Sequence, residues 1–380
     1  MSIDIFNRVN CKFKIGVPPS QDLSVHNTAM VTDKALPGSV LYKLYQSVDD
    51  FIVDFPSSTA PEEYTWGTAF FSENSNGNLF VIHTTKPDSD TSTDVSTAIL
   101  TALNEIEESA LSGQPSSFYT VSISNGDDIF YSDEQVVAEI KALEASGKEL
   151  FFIGQTYSTT MFNDLNNFAP AAFLQSTELE SLGVMMIGYP NVTTLQPVPK
   201  VSAGVAGFLS QVSIDNGPQQ DSDGQTFPDI TPLQTGTIDT YGTKFDRAKI
   251  NTLVNAQVNM YTRFKNQTQF ALGFIMAPEN IPALYYYIRQ LLKEELQVTL
   301  DPLFFSGDLP YAQETITRVR AIISTDLDKF VKAKMISNDF VITDPVLDYA
   351  QPIPRSLAWK IQGNLLGRLY AIEVGGTLQG

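Results

Sequence analysis

Catalysis and metal binding need side chains that titrate, attack or ligate, and this sequence holds few. Its two histidines, His26 and His83, lie far apart, and neither has the spacing of an HExxH helix or another metal site. His83 closes an apolar run, where a structurally satisfied imidazole is the plainer expectation. Cys11, the single cysteine, has no histidine beside it to favour the thiolate, which makes it a poor nucleophile. Gly204-Val-Ala-Gly207 is too short for a phosphate loop and lacks the Lys-Ser/Thr pair. No G-x-S-x-G elbow occurs. Asp221-Ser-Asp223-Gly224 begins like a calcium loop, but the later ligands and the closing Glu are missing. Glu107-Glu108 reads as a solvated helix face. The chemistry-bearing residues thus predict no catalytic site, no metal and no cofactor.

The bulk of the chain points away from nucleic acid and membrane. A net charge of -19 over 380 residues repels phosphate, so direct nucleic-acid binding is disfavoured. The charge is uneven. Residues 84–150 hold 13 Asp/Glu against 3 Lys/Arg, whereas residues 244–335 hold 12 Lys/Arg against 9 Asp/Glu. The late segment is therefore locally basic on an acidic protein. One cysteine allows no intramolecular disulfide, which fits a reducing compartment. No signal-like run opens the chain and no stretch nears 18 apolar residues, so membrane insertion is not expected.

The elements alternate. Ser47 is an N-cap candidate before Val48, Phe51, Ile52 and Phe55, which share one helical face. A second helix follows over 59–71, then a strand over 78–84. Helices over 92–111 and 133–145, the latter stopped at Gly147, alternate with strands over 118–124 and 149–154. A helix over 174–182 and a strand over 184–187 repeat the step. This pattern predicts an α/β fold, α+β overall, with a largely parallel sheet in a sandwich-like middle domain over 27–215. Residues 216–240 are turn-rich and read as a linker or long loop. Helices over 246–256, 281–297 and 310–334 and strands over 270–276 and 340–343 make a C-terminal α+β domain over 241–354. Both ends read as extended strand arms, residues 1–26 and 355–380. Cys11, Phe13 and Ile15 alternate with lysines in the first, and Tyr370, Ile372 and Val374 alternate in the second.

The order of these segments resembles the sheath proteins of contractile phage tails. The run SVDDFIVDFPSSTAPEEYTWGTAFFSENSNGNLFVIHT places Phe51, Phe55, Pro61, Glu63, Tyr64, Thr68, Phe70 and Phe71 as an F-x-x-x-F segment before a P-E-Y-x-x-A-x-x-F-F-like helix and a strand. Asp246-Arg247 opening a helix, Arg289 in the long helix, DFVITDP at 339–345 and the closing LAWKIQGNLLGRLYAIEVGGTLQ extend the likeness over most of the chain. The chain departs from larger sheath families at Arg289, which stands where they often carry a doubled Arg. The resemblance implies a structural subunit and no enzyme. It implies copies polymerised helically around a tail tube, in contact with tube, baseplate and tail terminator proteins. Such a sheath contracts to drive the tube through the host envelope for genome delivery. It implies a place in the virion after synthesis in the host bacterial cytoplasm. The arm strands would exchange between neighbours, and Arg318, Arg320, Lys329, Lys332 and Lys334 would face an acidic tube. The alternatives are another tail or baseplate structural protein, or an α/β enzyme with an unrecognised site.

Overall fold

The structure is a computed structural model. It describes residues 11–15, 23–85, 91–110, 117–123, 133–156, 169–177, 182–189, 200–216, 222–227, 247–264, 267–271, 273–277, 281–305, 312–347 and 357–366, together with Ser89, Leu179, Ile230, Pro232 and Pro310. Its centre is a six-stranded sheet in the order β3-β4-β2-β5-β6-β7. The strands are β2 (Leu23–Thr32), β3 (Tyr42–Tyr45), β4 (Asn78–His83), β5 (Ser117–Ile123), β6 (Phe151–Thr156) and β7 (Gly183–Gly188). All pair in parallel except β3, which runs antiparallel on β4. Every residue of β5 and β7 is buried, as expected where helices cover both faces of a parallel sheet.

Chain direction sorts the helices into two layers. From β2 to β4 the chain steps one way, through α1 (Val48–Asp54) and α2 (Pro61–Glu73). From β4 through β7 it steps the other way, through α3 (Asp94–Ala110), α4 (Asp133–Ala145) and α5 (Ala169–Ser176). Right-handed crossovers then place the two sets on opposite faces. The packing agrees: α3 lies on α4 and α4 on α5, while α6 (Val201–Leu209) lies on α2. Local chemistry fixes the ends. Ser47 accepts from the Asp50 amide at 3.2 Å to cap α1, Pro61 opens α2, and Gly147 closes α4 at φ +67°.

The later chain returns to this sheet. The hairpin of β8 (Met260–Phe264) and β9 (Gln267–Ala271) follows α7 (Arg247–Asn255). Asn259 and Met276 seal the β7 edge: the Asn259 and Met276 amides donate to the Met186 and Val184 carbonyls at 2.9 and 2.8 Å. Residues 222–227 of the turn-rich stretch lie on the hairpin, where buried Phe227 meets the rings of Tyr261 and Phe270. Helix α8 (Ala283–Phe305) crosses the starting ends of the strands. Tyr286 and Tyr287 pack on Phe151 of β6, the Tyr119 hydroxyl of β5 donates to the Tyr286 carbonyl at 3.2 Å, and the Gln290 amide donates to the Leu23 carbonyl of β2 at 2.8 Å.

After α8 comes α9 (Gln313–Lys332), which packs against it. A second sheet of three antiparallel strands closes the structure, in the order β1 (Cys11–Ile15), β11 (Leu357–Gln362), β10 (Val341–Thr343). Trp359, Ile361 and Ile342 bury its inner side.

Several expectations shift in this frame. The α/β architecture and most elements stand. Strand β2 starts at Leu23, inside the segment assigned to the N-terminal arm. The helix expected over 174–182 is instead Ala169–Ser176. The strand expected over 270–276 is the second half of a hairpin ending at Ala271. Tyr370, Ile372 and Val374 lie outside the described residues.

Candidate functional site

The residues with chemical potential are dispersed. The His26 Nδ1 pairs with the Ser210 carbonyl at 3.0 Å and the His83 Nδ1 with the Lys34 carbonyl at 3.0 Å. Because Thr32 pairs with His83 in the parallel ladder, six residues of β2 separate the two rings, roughly 20 Å along the strands. Gly204 and Gly207 sit inside α6 rather than in a loop. A Cβ on Gly207 would stand 2.5 Å from the Phe70 carbonyl oxygen, so the glycine lets α6 approach α2. Glu108 is exposed on α3, as a solvated face requires. Asp221 and the side chain of Glu107 lie outside the described residues. Among the described residues, no group of three His, Cys, Asp or Glu side chains is placed to hold a metal, and no helix is long and apolar enough to cross a membrane.

Doubly wound sheets hold anions on the helix amides that follow their strands. Here that position is filled from within. At the start of α3, after β4, the Val95 and Ser96 amides donate to the Glu139 carboxylate of α4 at 3.2 and 2.7 Å. Glu139 is fully buried. Burial holds its carboxyl above the ordinary range, while the Ser96 and Val95 donors pull it back. A phosphate would have to displace this buried carboxylate.

The remaining features concern surfaces. Strand β1 pairs along its whole length with β11, from Cys11 opposite Ile361 to Ile15 opposite Leu357, so Cys11, Phe13 and Ile15 sit in a ladder within one chain. Helix α9 explains its basic residues by position. At about 100° per residue, Arg318, Lys329 and Lys332 share the outward face, with Glu314 and Asp328 beside them, and all five are exposed. Arg320 points away from this stripe and donates to Asp344 at 2.7 Å. Lys329 is tied to Asp326, three residues back, at 2.7 Å, and that bond raises its pKa. Lys334 lies beyond the helix end at φ +60°. The structure therefore gathers three of the five cations and engages Arg320 elsewhere. Arg289 stacks over the Tyr286 ring, 5.0 Å from its centroid.

Two features were missed in the sequence. Trp359 and Ile361 make the core of the small sheet, and the alternation of LAWKIQ was the available signal. Gln290 and Glu294 of α8 hold the start of β2, which an apparent surface pair, Glu294-Glu295, gave no reason to suspect.

No protein-family model matches this chain, and no curated protein matches it in sequence. Solved structures do match in fold. The helical sheath of the anti-feeding prophage in its contracted state superposes at a TM-score of 0.62, with 14% identity, over 96% of this chain and 99% of that one. The anti-feeding prophage baseplate structure gives 0.64 and 14%, over 96% and 97%. The sheath tail protein of Desulfitobacterium hafniense gives 0.55 and 9%, over 92% and 100%. Over nearly its whole length, this chain has the fold of contractile-sheath proteins.

Proposed function

We propose that this protein is the sheath subunit of a contractile tail. Copies stack helically around a tail tube, bind baseplate and tail terminator proteins at the ends, and contract to drive the tube through the host envelope. In a phage this delivers the genome, and the subunit, made in the host bacterial cytoplasm, resides in the virion. No bond chemistry, nucleic-acid contact or membrane insertion is needed. The observation that carries the reading is the three-stranded sheet, whose central strand joins pieces from opposite ends of a chain with the sheath fold.

The β1-β11 ladder within one chain suggests the mechanism. If β1 leaves its own β11 and pairs with that of a neighbour, each copy regains the same main-chain bonds and the copies become linked. Exchange of an identical element costs little in contacts. Tyr370, Ile372 and Val374 would extend the same principle from the other end. The α9 stripe of Arg318, Lys329 and Lys332 would face the tube, with Arg320 and Lys334 at its margins; each exposed pair is weak and salt-screened, but repetition along a tail accumulates. Contraction would move rigid bodies while the exchanged strands stay paired.

A baseplate role is the second reading, favoured by the likeness to the anti-feeding prophage baseplate structure. Negative-stain microscopy of the purified protein separates the two. The sheath reading expects long tubes, and closed rings without tubes would favour the baseplate.

A further inference from the structure

The outer side of the three-stranded sheet is basic on an acidic protein. Trp359, Ile361 and Ile342 are buried on its inner side. Alternation therefore turns Lys360 outward, where it is exposed beside its exposed ladder partner Thr343. Register assigns Lys12, opposite Lys360, and Lys14, opposite Ala358, to the same face. Val341, opposite Gln362, completes it and is exposed as well. None of the three strands contains an acidic residue. A lysine directly across from a lysine is unfavourable in an antiparallel ladder. Among the described residues, Lys360 makes no ion pair. The α9 stripe is less purely basic, since Glu314 and Asp328 stand in it and Lys329 bonds Asp326.

A second surface carries the opposite sign. The 17 residues of α3 include no Lys or Arg. Glu105, Glu107 and Glu108 stand near its C-terminal end, the negative end of the helix dipole, where acids are disfavoured. Glu105 and Glu108 are both exposed, and like charges three residues apart on a helix repel. Neither makes an ion pair among the described residues. Each surface is thus electrostatically unfavourable in a lone chain, and each supplies the charge that would relieve the other.

We propose that the outer face of the small sheet on one copy docks on the C-terminal end of α3 on a second copy, setting Lys12, Lys14 and Lys360 against Glu105 and Glu108. Two copies of a chain with a net charge of -19 repel over most of their surfaces, so patches of opposite sign select where they meet. The contact is heterologous. Each copy keeps one free patch of either sign, so the contact repeats from copy to copy and builds an open helix or a ring. Exchange of β1 leaves the face intact, because an identical strand brings the same lysines. The contact deepens the sheath reading and rests on its claim that copies assemble: α9 is left to the tube, and the small sheet faces the neighbour.

Carbodiimide coupling of wild-type protein, which joins a lysine amine to a carboxylate in direct contact, tests the docking. An equal mixture of unlabelled and isotope-labelled copies, assembled at low salt, separates links between copies from links within one. The Lys43–Asp54 pair, which couples inside each chain, reports that the reagent has acted. The expected products are mixed-isotope peptides joining Lys12, Lys14 or Lys360 to Glu105 or Glu108. Absence of these links, or glutamates joined only within single chains or to the α9 lysines of a neighbour, would overturn the docking. Lys360→Glu separates docking from a structural role. It removes the like-charge pair with Lys12, so the melting temperature of the unassembled subunit should hold or rise. The concentration needed for assembly should rise at least about twofold at low salt and less at high salt. Glu105→Gln combined with Glu108→Gln should behave alike. Stability and assembly falling together, or assembly unchanged, would count against the contact. Wild-type tubes without these links would remove the contact and leave the sheath reading standing, whereas the links without tubes would keep the contact and contradict the sheath.

Discussion

In the six-stranded sheet, the chain seals its own border. Asn259 and Met276 bond the exposed side of β7, and Asn259 spends its side chain on the Met186 and Phe274 carbonyls as well. The other border, β3, is four residues long and bears Lys43, a charged short edge that resists pairing. The three-stranded sheet is built differently. Its middle strand β11 holds β1 on one side and the three-residue β10 on the other, and β1 also lies against α8. Val341 and Val346 stand 55% and 85% exposed beside it. One sheet has its borders covered or charged within the chain; the other is assembled from pieces that, on the proposed exchange, a partner's identical pieces would replace.

The largest expected effect falls on assembly. Deleting residues 1–20 removes β1 and should abolish tubes seen by microscopy, while the six-stranded body stays folded. The chain's two tryptophans report the two regions separately, since Trp66 lies on α2 and Trp359 on β11, both fully buried. In the deletion variant, the Trp359 emission should shift to the red and that of Trp66 should not, read in Trp66→Phe and Trp359→Phe backgrounds. Parallel shifts would mean that the two sheets are one cooperative unit.

A smaller effect is expected from Trp359→Ala. Loss of a buried tryptophan costs about 3–5 kcal/mol, here confined to the small sheet. Denaturant titration should show a transition for that sheet at lower denaturant, leaving the main one in place. The smallest effect belongs to α9. Charge reversal at Arg318 and Lys332, leaving Lys329 paired with buried Asp326, should weaken assembly on tubes at low salt and leave stability almost unchanged. Arg320→Glu should instead remove the Asp344 pair, worth under about 1 kcal/mol at an exposed site. Equal effects of both changes on assembly would break the distinction between the stripe and Arg320.

Where the sequence followed one period, it was readable. The Ser47 cap, the Gly147 stop and the apolar runs of β4, β6 and β7 declare themselves locally, and α4 matches its expected bounds of Asp133–Ala145. Strand β2 hid because the break near Ser24 disrupts its alternation and because Asn27 and Thr28 are buried polar residues, Asn27 donating to the Ser117 carbonyl. The roles of Gly207, which lets α6 approach α2, and of Gly204, which faces Ile230 and Phe227, depend on contacts that only the packed structure contains. Strand β1 was legible from its alternation, but the register was not: LAWKIQ reads as extended, and only pairing with β1 and β10 sets Leu357–Gln362. Glu294 was illegible for the same reason, since its partner amide is far away in sequence.

Strand exchange is the central claim, and the single native cysteine offers its test. Cys11 is the ladder partner of Ile361, and cross-strand neighbours lie within disulfide range. In assembled Ile361→Cys protein, mild oxidation followed by non-reducing electrophoresis should give a ladder of covalent oligomers, because Cys11 of one copy meets position 361 of the next. A disulfide found only within single chains, in tubes that are otherwise normal, would contradict the exchange.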